Sequence, residues 1–276
     1  MAKKSVIHPG AAGAFNQGKV PVIACFDHSD VLTGAAFDKL VRVLQLYVDK
    51  HVAPAWGTPA RLVKTKGFVK GAWALAFLDD VDRPGVTAYH DLTPDGLPMS
   101  KVFVRTSEKN GESVSVTASH ELVEMLVDPG TNMSVLGPDG VSFYYYESAD
   151  PVEEYSFNVH GVPMSNFVYP AYFESFHKRG ATKFDHMGLV KKPFQILRGG
   201  YQHVFKDGEW QVLHGSPAKK ARHASQNRAG RRGERRRKLK AGLKRADGVH
   251  VKREEKILAA KKKAGTKRPV GKRKKP

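Results

Sequence analysis

Residues 113–129, SVSVTASHELVEMLVDP, sort into two faces when wound as a helix at about 100° per residue. Thr117, His120, Glu121, Glu124 and Asp128 fall on one narrow arc, while Val116, Ala118, Leu122, Val123, Met125, Leu126 and Val127 cover the rest. The polar stripe is one histidine with acids and contains no lysine or arginine. Solvated stripes usually mix signs, because like charges one turn apart repel. A cation between His120 and Glu124 removes the conflict; a solvated acidic face is the alternative. Pro129 disfavours helical geometry in the residue before it, so the helix should end near Asp128.

The pattern H-E-x-x-E differs by one residue from H-E-x-x-H, the helix in which two histidines hold zinc and the glutamate is general base. Glu121 is the candidate base, and His120 and Glu124 are candidate ligands. Glu147, in FYYYESADPVEE (143–154), is the candidate third ligand. Asp150 is placed to orient a ligating imidazole, and Asp128 and Asp150 are rivals for the third position. The zincin-type motif points to zinc, but two carboxylates and one imidazole neutralise a divalent metal and lower its Lewis acidity, which weakens a peptidase reading and widens the choice towards manganese or calcium.

This run, with YHDLTPDG (89–96) before it and YYESADPVEEYSF (145–157) and MSNFVYPAYF (164–173) after it, resembles a family of bacterial and phage proteins. Its H-E-x-x-E…D-P…E-x-x-D core is also similar to that of plant phosphate-induced (EXORDIUM-type) proteins. The resemblance spans roughly Val20 to Tyr201 and implies a zincin-like metal site, without an activity. It also implies that a loop carrying His90 faces the site, to bind substrate or metal; a surface-loop histidine is the alternative. The chain departs from the family at Ala149, near which a cysteine is expected.

The net charge of +19 is unevenly spread. Residues 217–276 hold 25 basic and 4 acidic side chains, a formal +21, which leaves 21 basic and 23 acidic residues, or −2, in residues 1–216. We therefore expect a flexible arm over 1–19, a globular domain over 20–216 and a disordered tail over 217–276. No apolar run approaches the roughly 20 residues of a membrane span, and no apolar leader is expected at the start. The single cysteine, Cys25, rules out an internal disulfide and favours a reducing compartment, so the expected location is cytoplasmic or virion-associated.

Val20–Phe26 reads as a buried strand and Gly34–Val52 as a helix closed by Pro54. Strands are expected at Arg61–Val69, Ala72–Leu78, Val86–Tyr89 and Lys101–Arg105, with a loop over Asp91–Pro98. Beyond the central helix, His160-Gly161 and Asp207-Gly208 each mark a hairpin. His160, His186 and His214 read as structural or surface residues, and most of Tyr144, Tyr145, Tyr146 and Tyr155 as packing. The expected fold class is α+β: a zincin-like mixed sheet with a central metal-type helix, plus the basic tail.

The tail carries Arg231, Arg232, Arg235, Arg236, Arg237, Lys238, Lys261, Lys262, Lys263, Lys272, Arg273, Lys274 and Lys275, with few apolar residues among them. It buries too little surface to offset the entropy of ordering. Its charge points to sequence-independent nucleic-acid binding. Three functional readings follow: a metal-dependent hydrolase, peptidase-like and acting on peptide or protein, with a nucleic-acid-binding tail; an inert metal-stabilised structural or virion-associated DNA-binding protein; and a plain nucleic-acid binder. The charge division predicts that a form ending at Ser216 loses nearly all affinity for a labelled DNA duplex. The full chain should bind with a log–log salt slope of about −0.9 per phosphate neutralised. Equal affinity of the two forms across a salt series would place the nucleic-acid surface in residues 1–216.

Overall fold

The computed structural model describes residues 20–81, 86–93, 95–174, 177–178 and 180–225. The expected arm, the second half of the 79–85 turn and the tail beyond residue 225, with all its basic clusters, lie outside them.

The first strand, β1 (Val22–Asp27), is apolar and buried over Ile23–Phe26. Helix α1 (Gly34–Tyr47) follows, capped by the Thr33 side chain, which accepts the N–H of Ala36 at 3.2 Å. The chain does not stop at Pro54. It widens into a π-helical turn over Val48–Val52 and continues as α2 (Ala53–Trp56), ending at Gly57 with φ +68°. Pro54 stands in the first turn of α2, directly after the π-helical turn.

Strands β2 (Arg61–Lys64), β3 (Trp73–Leu78), β4 (Ala88–Leu92) and β5 (Pro98–Phe103) join β1 in a five-stranded sheet of order β2-β1-β3-β5-β4. All neighbours are parallel except β4, which runs antiparallel to β5 at the sheet edge. The expected strand at Lys101–Arg105 thus starts earlier, and Val104 begins a short helix, α3 (Val104–Lys109). The H-E-x-x-E stretch forms α4 (Val114–Val127) and ends at Asp128, as Pro129 requires.

Helix α4 packs against β4 and β5 and against the hairpin β8 (Ser156–Val159)–β9 (Val162–Ser165). Its apolar residues Ala118, Leu122, Val123, Met125 and Leu126 join α1 and the sheet in the main core. Two hydroxyls fix its register. Ser119 Oγ accepts the Ser165 N–H at 2.8 Å, and Ser100 Oγ donates to the Glu121 carbonyl at 3.2 Å.

A second sheet, antiparallel, orders β11 (Glu209–His214), β10 (Tyr201–Lys206), β7 (Phe143–Tyr145) and β6 (Ser134–Leu136). The fold continues past Ser216 into α5 (Pro217–Ser225). Lys219 is buried there and pairs with Glu153, while Arg222 bonds Glu112 at 2.8 Å. The first residues of the basic segment are thus held by acids of the domain, and a truncation that keeps these pairs ends no earlier than Ser225. The described residues include no helix long and apolar enough to cross a membrane.

His186 is wedged between its neighbours. Its Nε2 lies 3.0 Å from His51 Nδ1 on the π-helical turn, its Nδ1 3.1 Å from the Tyr169 hydroxyl, and its ring stacks on Phe167. Burial, with His51 and Lys183 nearby, lowers its pKa to about 4. An unfolded histidine takes its proton near pH 6.5, so stability should be full above that value and drain away as pH falls toward about 4. Thermal melts of His186→Gln should show a shallower loss than the wild type across this window. Parallel curves would remove His186 from the acid response.

Candidate metal centre

The polar stripe of α4 is buried, with the His120, Glu121 and Glu124 side chains 11%, 10% and 4% exposed. The solvated-face alternative therefore fails. The helix cannot bury these groups against apolar surface without strong cost, and three other elements meet them with polar groups. Strand β4 brings His90, the turn after β7 brings Glu147 and Asp150, and β10 brings His203.

His120 Nε2 lies 3.5 Å from Glu124 Oε1 and 3.3 Å from Asp150 Oδ1. His90 Nδ1 lies 3.3 Å from Glu121 Oε2 and 3.5 Å from Glu124 Oε2, and its Nε2 lies 3.5 Å from Glu147 Oε2. His203 Nδ1 is 3.8 Å from Asp150 Oδ2. Glu124 is anchored from below, since Oε1 accepts the N–H groups of Ala149 at 3.1 Å and Asp150 at 3.2 Å.

Burial disfavours charge on every member, and the cluster overrides it pairwise. Burial alone would lower the pKa of His120, but Glu124, Asp150 and Glu121 lift it well above its ordinary value. The same contest at His90, against Glu147, Glu121 and Glu124, ends at about 9. Burial and Asp150 raise Glu124 against the pull of His120 and His90. Asp150, despite its burial, is held well below the carboxylate range by His120 and His203.

Two groups of three donors could each hold a metal ion: His120, Glu124 and Asp150; and His90, Glu121 and Glu124. The contact lengths fit that role. Charge-assisted hydrogen bonds run about 2.7–2.9 Å, and the imidazole–carboxylate contacts within both groups are 3.3–3.5 Å. Donors about 2.0–2.1 Å from one tetrahedral ion stand about 3.3–3.4 Å apart. Imidazole and carboxylate together suit zinc or manganese.

The structure brings together His120, Glu124 and Asp150, with Asp150 in the position expected of Glu147. Glu147 belongs to neither group of three and faces His90 instead. Asp128 accepts the N–H groups of Asn132 at 3.2 Å and Met133 at 3.0 Å, which closes the turn after α4, and it belongs to neither group of three. His90 sits on a strand and not on a loop, and joins the cluster directly. His203 was not legible in sequence: it lies far along the chain in a hairpin whose only signal is the turn Asp207-Gly208. Comparison with family models, curated proteins and solved structures finds no match for the chain.

The Asp150 turn is held by a close approach of Gly200. A Cβ there would stand 2.0 Å from the Pro151 carbonyl oxygen and 2.9 Å from that of Asp150. Gly200→Ala should therefore displace Asp150 and weaken divalent-metal binding by about 10–100-fold, the usual cost of losing support for a ligand. Calorimetric titration with zinc, with circular dichroism to verify the fold, measures this. Unchanged affinity would exclude Asp150 from the ligand set.

Proposed function

We propose that the chain is a metal-dependent hydrolase of zincin-like type, acting on a peptide bond or a related carbonyl. The observation that carries this reading is the buried set His120, Glu124 and Asp150 on an H-E-x-x-E helix, with the Glu121 carboxylate beside it. The mixed sheet supports the zincin-like reading, because α4 packs on β5 and on the antiparallel edge strand β4, which lines the site.

His120, Glu124 and Asp150 would hold the ion, most simply zinc, with manganese as the alternative. When bound, the ion supplies Lewis acidity, polarising a carbonyl and acidifying water. Glu121 Oε2, held at 3.3 Å from His90 Nδ1, takes the proton of the attacking water in a one-ion centre and later returns it to the leaving amine. Strand β4, last in the order of the five-stranded sheet, carries His90 into the site. The basic segment beyond residue 225 adds sequence-independent attraction to nucleic acid, which would localise the hydrolase.

On a library of fluorogenic peptides, Glu121→Gln should lower turnover by about 10²–10⁴-fold, the usual worth of a general base. It should also retain the ion bound by His120. His120→Ala and Glu124→Ala should lose that ion and turnover together. Full turnover in Glu121→Gln would remove Glu121 as the base, full turnover in metal-free protein would end the metal-dependent mechanism, and no turnover in the metal-loaded wild type would end the hydrolase reading.

A further inference from the structure

We infer that the buried cluster holds two divalent cations, one on each side of the Glu124 carboxylate. The inference rests on the metal-dependent reading above and refines its ion content.

The first observation is the division of Glu124. Its Oε1 lies 3.5 Å from His120 Nε2, whose other partner is Asp150 Oδ1 at 3.3 Å. Its Oε2 lies 3.5 Å from His90 Nδ1, whose other partner is Glu121 Oε2 at 3.3 Å. One carboxylate thus completes two separate sets of three donors, each with one imidazole and one further carboxylate. The two imidazole–carboxylate spacings are 3.3 and 3.5 Å in each set, near the edge of a metal tetrahedron, so whatever argues for the first ion argues for the second.

The second observation is charge. Glu121, Glu124, Glu147 and Asp150 are all buried together. Ionised, they carry −4; one divalent ion with neutral imidazoles leaves −2 in the interior, and two leave none. Uncompensated buried charge is costly, so two ions are the balanced filling. The remaining acid then falls into a supporting position. Glu147 faces Nε2 of His90, where a carboxylate orients a ligating imidazole. His203 faces Asp150 Oδ2.

The two positions are not equivalent. Both main-chain donors to Glu124, from Ala149 and Asp150, go to Oε1. The ion on the Oε2 side therefore draws the larger share of the carboxylate charge, and the affinities differ. With that ion bound, Glu121 is a donor to it and not the proton acceptor.

The test uses the full-length protein, stripped of metal and titrated with Mn(II). Calorimetry and elemental analysis should count two equivalents, in two steps of unequal affinity. Bridged ions in two-metal sites sit about 3.5–4 Å apart, so the electron paramagnetic resonance spectrum of the loaded protein should show an exchange-coupled pair. Glu121→Gln and His90→Ala should each bind one equivalent, with the six-line signal of an isolated ion. The wild-type spectrum decides the matter without a variant, should His90→Ala fail to fold. A wild type that binds one equivalent, unchanged by Glu121→Gln, overturns the second ion and leaves the one-ion hydrolase standing. Two equivalents without coupling overturn it as well, by placing the second ion elsewhere. No stoichiometric Mn(II) or Zn(II) binding ends both readings.

Discussion

Four carboxylates and three imidazoles share one interior position, and each ionised carboxylate removed from water costs several kcal/mol unless positive charge meets it. The arrangement around α4 answers that constraint. The helix supplies His120, Glu121 and Glu124 from a single turn, too few groups to satisfy one another. Strand β4, the Asp150 turn and β10 must therefore converge on the same point. Histidine is the residue that suits this place, since it can carry a proton in the metal-free protein and give it up to become a ligand.

Convergence of this kind needs rigid supports. Glu124 is tied to the backbone of Ala149 and Asp150, which docks the turn against the helix. The turn is in turn pressed by Gly200, whose lack of a side chain lets the chain enter β10 and aim His203 at Asp150. The helix itself is pinned by hydroxyls: Ser119 receives the Ser165 N–H, and Ser100 donates to the Glu121 carbonyl. Small polar residues, unremarkable in composition, thus set the register of the charged ones.

Electrostatics also holds the start of the basic segment to the domain. Composition changes at Pro217, yet the domain keeps the next nine residues, because Glu112, Glu153 and Glu154 pair with Lys219 and Arg222. A boundary drawn by net charge alone cannot see this.

The sequence by itself determined the central helix, its end at Asp128, most strands of the α+β order and both glycine-marked hairpins. Each of these depends on local physics: periodicity, a proline, a turn residue. It also determined that His120 and Glu124 act on one side of one helix, since i and i+4 always do. Only the tertiary structure decided that Asp150 and not Glu147 joins them, because three residues along an irregular turn have no fixed phase. Likewise, only the fold could bring His90 from an edge strand and His203 from a distant hairpin. Sheet order and strand pairing are long-range choices, made by burial of the whole core and not by the residues that profit from them.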